Sequence, residues 1–222
     1  MSVLVYRDSD TLSQALATLL AGCMIEKPNS VIGLDCSAQL ASAYRKIAGM
    51  TSDGLLDWAC VRTFNLFEHV RPDSETSDES RMRSMLYDRV NIQPANIHSP
   101  GTEARDWSVL CNDYENAILD IGGIDTLLCV VGKDGRVASN MPGTELAPVT
   151  HVERTDGGRV VTVGISTIMS AKRVIVVLAG YDLSQIAPLI ITGPIVPAMP
   201  ASYLQLHPNA IFMLDEDAAE KI

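Results

Sequence analysis

Short apolar runs bounded by turn residues alternate along the chain with longer stretches of helical period. The runs at 3–6, 31–34, 59–64, 126–131, 159–163, 173–178 and 210–214 predict strands. Several are continuously apolar rather than alternating, the pattern of strands covered on both faces. Between them, Asp10 is placed to cap a helix carrying Leu12, Leu16, Leu19 and Leu20. Ser37 or Asp35 can cap another that carries Leu40, Ala41, Tyr44 and Ile47. Further helices are expected at 79–88, 103–120 and 182–191. The order of elements predicts an α/β fold, a three-layer, mostly parallel sheet with helices on both faces in the Rossmann-like manner. No internal repeat or low-complexity linker divides the chain, so a single domain over residues 1–222 is expected. The polar stretch 71–84 reads as a solvated loop leading into a helix, and TDGG at 155–158 as a tight connection of hairpin type.

Composition narrows the function classes. With 47% hydrophobic and 20% charged residues the chain can bury a substantial core, which excludes disorder as its main state. The 27 acidic against 17 basic residues give a formal charge of −10, unfavourable for non-specific binding to nucleic acid. The opening MSVLVYRDSDTLSQAL lacks a basic targeting region, and the apolar stretches fall short of the roughly 20 residues that span a bilayer. A soluble, cytoplasmic protein with no membrane partner is therefore expected. Cys23, Cys36, Cys60, Cys111 and Cys129 are odd in number and widely spaced, as reduced core residues are. There is no Cys-x-x-Cys or His-x-x-x-His pair, and no metal site is expected.

Ligands of open parallel sheets bind beyond the carboxyl ends of strands. Three segments occupy such positions: Gly33 to Ala38, Thr63 to His69, and Val131 to Pro142. Together with FNLFEHV at 64–70, VNIQPANIHSP at 90–100, VVGKDGRVASNMPGT at 130–144, TVGISTIMSAKRVIVVLAG at 162–180 and PASYLQLHPNAIFMLDEDAA at 200–219, the chain resembles the glucosamine-6-phosphate deaminase and sugar-phosphate isomerase family, with 6-phosphogluconolactonases as more distant relatives.

The resemblance implies proton transfer between adjacent sugar carbons, ring opening and release of ammonia, with no metal or organic cofactor. It implies a sugar or sugar phosphate as ligand and a homo-oligomer as assembly. The family's base stands where this chain has Phe67, although the following Glu68 matches. Asp134 and Asn140 match the next motif, but Arg136 replaces its ring-opening histidine and Met141 its glutamate. Arginine keeps its proton at neutral pH, and phenylalanine and methionine have none to exchange.

The family's small-residue phosphate loop is matched by Leu34 to Leu40, which places Ser37 and Ala38 at the ligand and an anionic Asp35 close to any phosphate. Leu183 stands for a phosphate-binding lysine, so weak phosphate affinity is expected unless Arg136 or Arg159 rebuilds the site. The expected reading is a non-deaminating homologue that binds a sugar ligand or serves regulation. The alternative is an active isomerase or deaminase using Glu68 and Asp134 as its acid/base pair. Arg136 is expected to turn towards Asp134 or Glu68 and help close the old site. His207 is expected to be a hydrogen-bonded packing residue.

Overall fold

The computed structural model describes residues 1–70, 77–143, 146–155 and 157–222. In chain order the strands are β1 (Ser2–Tyr6), β2 (Val31–Leu34), β3 (Arg62–Asn65), β4 (Phe67–Val70), β5 (Ile97–His98), β6 (Thr126–Val130), β7 (His151–Thr155), β8 (Gly158–Thr162), β9 (Arg173–Leu178) and β10 (Ala210–Asp215). The helices are α1 (Ser9–Glu26), α2 (Ala41–Ser52), α3 (Asp78–Met85), α4 (Trp107–Asp120), α5 (Ile165–Met169), α6 (Ala187–Ile191) and α7 (Glu216–Ala219).

Seven strands form one parallel sheet in the order β1-β10-β9-β6-β2-β3-β5. Every residue of β2 and β6 is buried, as central strands covered on both faces require. This is the α/β architecture with a mostly parallel sheet between helices that the sequence predicts. A second, antiparallel sheet in the order β4-β8-β7 was not anticipated, and the strand expected at 159–163 belongs to it. The strands β7 and β8 pair as a hairpin, while Asp156 and residues 71–76 of the polar stretch lie outside the described residues.

Local chemistry explains the shifted boundaries. Asp8, not Asp10, caps α1: its Oδ1 accepts the Thr11 N–H at 2.8 Å, and Thr11 Oγ1 accepts the Asp8 N–H in return. Asp10 sits in the first turn and pairs with Lys46. The strand expected from residue 59 starts only at Arg62. Asn91 Oδ1 and Asp57 Oδ1 accept the N–H groups of Trp58 and Ala59, and the Val61 N–H closes a turn onto the Trp58 carbonyl. Cys23, Cys36, Cys111 and Cys129 are buried and unpaired, but Cys60 is exposed. His207 is buried, with Nε2 2.8 Å from the Ala171 carbonyl and Nδ1 accepting the Asn209 N–H. Among the described residues no helix is long and apolar enough to cross a membrane.

Candidate ligand site at the strand-order reversal

From β2 the chain moves through α2 to β3 on one side, whereas from β6 it moves to β9 on the other. The loops after β2 and β6 therefore diverge, and a crevice opens between two neighbouring strand ends, the usual ligand position in such sheets. The second sheet stands over it, because β4 follows directly on β3 and the β7–β8 hairpin is inserted between β6 and β9. The result is an open cavity of about 590 Å³, lined by Ser37 and Gln39, by Phe67 and His69, by the loop from Val130 to Met141, and by Thr155 and Gly157 of the hairpin. Phe67, Arg136 and Met141 form wall, not filling.

Asp35 is not in that wall. It is 1% exposed, and its Oδ1 accepts both the N–H and the hydroxyl of Ser37, at 2.8 and 2.5 Å, while Oδ2 accepts the Val130 N–H at 3.1 Å. The carboxylate fastens the ends of β2 and β6 to each other, and its expected opposition to a bound anion falls away. Burial pushes its pKa up, against the pull of these three hydrogen bonds. Ser37 lines the cavity, but its N–H and hydroxyl already serve Asp35. Ala38 is exposed and outside the lining.

The loop after β6 is closed by two backbone hydrogen bonds, Gly132 N–H to the Arg136 carbonyl and Gly135 N–H to that of Gly132. Gly135 has φ 85°, a conformation that favours glycine, and a Cβ there would lie 2.0 Å from Met199 Sδ, so any larger residue would require the Met199 side chain to move. Asp134 and Arg136 both line the cavity. Asp134 Oδ1 accepts the Arg136 N–H, and one guanidinium nitrogen lies 3.2 Å from Oδ2. Both side chains are partly exposed, so the pair is neither bidentate nor a plug, and the expected closure of the site does not occur. Lys133 pairs with Asp182 of the turn after β9. Asn140 is buried away from the cavity, donating to the Val137 and Val163 carbonyls at 3.1 and 2.9 Å. Leu183 is core, and Arg159 stacks over Trp107 at 5.9 Å, outside the cavity lining.

Strand alternation separates Glu68 from its neighbours. Phe67 and His69 face the cavity; Glu68 is 2% exposed and turned from it, accepting the N–H groups of Asp78 and Glu79 at 2.7 and 2.8 Å. The expected pairing of Glu68 with Asp134 is therefore not formed across the cavity. Burial raises the Glu68 pKa to about 7, aided by the nearby Asp78 charge and opposed by the two N–H groups.

His69 is the cavity residue that motif reasoning passed over. Its Nδ1 lies 2.6 Å from Asp78 Oδ2, which also accepts the His69 N–H at 2.8 Å; Arg81 holds Oδ1 at 2.9 Å. Asp78 is fully buried, yet hydrogen bonding to His69 and the charges of His69 and Arg81 bring its pKa below the usual value despite desolvation. Among the described residues no cluster of three or more His, Cys, Asp or Glu is arranged to hold a metal ion.

Residues 9–213 match the family described as glucosamine-6-phosphate isomerases/6-phosphogluconolactonase. The glucosamine-6-phosphate deaminase of Clostridioides difficile (strain 630) is 31% identical over 241 residues, covering 100% of this chain and 97% of its own. That of Pseudarthrobacter chlorophenolicus is 33% identical, covering 100% of this chain and 93% of its own. A solved structure of a monomeric glucosamine-6-phosphate deaminase superposes with a TM-score of 0.95 at 26% identity, over 100% of both chains. The 6-phosphogluconolactonase of Trypanosoma brucei shares the fold, with a TM-score of 0.85 at 21% identity over 100% of this chain and 98% of that one.

Proposed function

The chain belongs to the glucosamine-6-phosphate isomerase/6-phosphogluconolactonase family, and within it we propose a sugar-phosphate-binding protein, one domain over residues 1–222, that does not release ammonia. One observation carries this reading: the crevice is an open cavity, but the wall position assigned to the deaminase base is the hydrocarbon ring of Phe67. Arg136 and Met141 stand at the positions of the ring-opening histidine and its glutamate partner, and neither can replace them in proton transfer.

Lys133 and Arg136 supply the positive charge for a phosphate. Both lie in the lining, and their partners Asp182 and Asp134 are solvent-accessible carboxylates that hold them weakly. The withdrawal of Asp35 into the interior leaves that charge unopposed from the β2 loop. Ser37 and Gln39 border the ligand on the other side. The reading needs no metal or organic cofactor, and it places the protein in amino-sugar or related carbohydrate metabolism.

Calorimetric titration with glucosamine 6-phosphate and fructose 6-phosphate, beside their unphosphorylated counterparts, tests the binding. A coupled assay of ammonia tests the chemistry. Tighter binding of the phosphorylated sugars, without ammonia release above background, is the expected result. Ammonia release within tenfold of an ordinary enzymatic turnover of about 10 per second, or equal affinity for the unphosphorylated sugars, would overturn the reading.

A further inference from the structure

At the opposite end of the parallel sheet, where the chain enters β2, β6, β9 and β10, the structure holds a second cavity of about 380 Å³. It shares no lining residue with the crevice. Five residues of β6 lie between the two, and at about 3.3 Å per residue they set the cavities about 15 Å apart. The lining gathers Lys27, Lys172 and Arg173. In a chain with 27 acidic against 17 basic residues, three cations in one small space call for an explanation. Asp125 accounts for two of them. Its Oδ1 accepts from Lys172 Nζ at 2.7 Å, and its Oδ2 accepts from Lys27 Nζ at 2.5 Å and from the Val31 N–H at 2.8 Å, which ties the carboxylate to the start of β2. The Asp125 side chain is 12% exposed, against 44% for Lys27 and 65% for Lys172. The cavity therefore presents to solution the ammonium groups, with N–H donors to spare, rather than the carboxylate.

Arg173 is the third cation, and among the described residues no carboxylate pairs with its guanidinium. One of its nitrogens lies 2.7 Å from Cys23 Sγ, a weak acceptor, which leaves the rest of the planar fork unused. Glu26, the other acid of the lining, is exposed and pairs with none of the three cations. Ser30 also belongs to the lining. It is 1% exposed and its hydroxyl has no hydrogen-bond partner, although buried polar groups are normally satisfied. An ion pair network built for stability alone would end with Lys27, Asp125 and Lys172. The half-buried Arg173 beside them adds like-charge repulsion, which a bound anion would relieve.

We propose that this cavity is a second anion site, separate from the crevice, that takes a phosphate group, either free phosphate or the head of a small monoester. The fork of Arg173 matches two phosphate oxygens, Lys27 and Lys172 flank it with charge, and the Ser30 hydroxyl gains the partner it lacks. No bond is made or broken there. The site stands on its own residues and does not depend on what the crevice binds.

The test titrates the full chain with inorganic phosphate and, separately, with glycerol 3-phosphate, in 150 mM sodium chloride to screen diffuse attraction. Backbone amide NMR shifts report where each probe binds and how tightly. Expected are saturable shifts at Ser30, Thr126 and Arg173, distinct from any at Gly132 and Arg136 of the crevice. In Arg173→Gln the affinity read from Ser30 and Thr126 should fall tenfold or more, because a charge-assisted pair is lost. Arg173→Lys, which keeps the charge without the fork, should lie between that variant and the wild type. Tighter binding of glycerol 3-phosphate assigns the site to an organic monoester, and binding of inorganic phosphate at least as tight assigns it to the phosphate group alone. Wild-type shifts that are absent or confined to the crevice overturn the proposal without need of any variant. An affinity at Ser30 and Thr126 that is unchanged in folded Arg173→Gln overturns it as well. The reading of the crevice rests on the sugar-phosphate titration, so the two can fail separately.

Discussion

Glu68 Oε1 lies 2.7 Å from the backbone nitrogen of Asp78, so the strand carboxylate closes the N-terminus of α3 while Asp78 turns its own carboxylate back to His69. The two acids are neighbours with opposite tasks. Glu68 and the Ser77 hydroxyl together satisfy the N–H groups of Asp78, Glu79 and Ser80, which the helix itself cannot pair. The helix is thereby fixed to the sheet, and with it the carboxylate that orients the cavity histidine.

The first prediction concerns pH. The Glu68 carboxyl titrates at about 7 in the folded protein against 4.5 for the free group. Between those values the folded state holds a proton that the unfolded state has released. Its stabilising contribution is therefore full below the unfolded value and is lost as pH rises through about 7. Calorimetric melting at pH 5, 6, 7 and 8 should show a fall in Tm that is shallower in Glu68→Gln. Parallel curves for the two proteins would mean that Glu68 is not the source. Asp78 acts in a different window: its lowered pKa contributes stability above the unfolded value, lost only as pH falls below about 4.

Asp35 provides the second. Three donors, the Ser37 N–H, the Ser37 hydroxyl and the Val130 N–H, converge on one buried carboxylate. Each buried donor left unpaired costs about 1–3 kcal/mol, and the hydroxyl can turn elsewhere. Asp35→Ala should therefore lose about 2–5 kcal/mol in urea denaturation, and Ser37→Ala about 1 kcal/mol. Equal losses in the two variants would show that the link to Val130, hence between β2 and β6, contributes little.

The central strands were legible because their burial on both faces leaves an uninterrupted apolar run: 31–34, 173–178 and 210–214 match the observed strands to within a residue. The second sheet was not, because β4 and β7 mix Glu, His and Arg with apolar positions, and their pairing is set by tertiary contact. At the site, sequence spacing correctly located the loops after β2 and β6 that meet at the strand-order reversal. It could not show which way a carboxylate turns. Asp35 and Glu68 both sit at ligand-facing motif positions, yet both spend their oxygens on nearby N–H groups inside the protein. His69 was signalled only by alternation, which allows one of residues 68 and 69 to face the cavity. Asp78 approaches it from a helix nine residues further on, a contact that no local pattern encodes.

A third prediction follows from the crowding at Gly135. Alanine there must adopt φ 85° and place its Cβ 2.0 Å from Met199 Sδ. The backbone strain is about 1 kcal/mol and the overpacking a further 1–3 kcal/mol. Gly135→Ala should thus destabilise by about 2–4 kcal/mol. In a Met199→Ala background, which removes the sulfur, the same change should cost only the backbone strain. The difference between the two, from a double-mutant cycle in chemical denaturation, measures the contact directly. A coupling near zero would mean that Met199 moves aside freely.

If deamination is lost as proposed, the cavity can still have kept the geometry which that reaction needs. Phe67, Arg136 and Met141 all reach the same space, and the loop that carries two of them is held by the Gly132–Arg136 and Gly132–Gly135 hydrogen bonds and by the Ala201 N–H on the Gly135 carbonyl. Their side chains can change without disturbing that backbone. Phe67→Asp alone puts a carboxylate at a site only 6% exposed, so it should lower stability, and with no ring-opening group beside it no ammonia should appear. Groups that act as a unit recover only together. Phe67→Asp, Arg136→His and Met141→Glu combined should therefore release ammonia from glucosamine 6-phosphate at least tenfold above wild type, while each single change stays at background. If the folded triple variant binds the sugar phosphate and still releases none, the positions around these three residues have shifted too far for the old chemistry, and the cavity survives only as a binding site.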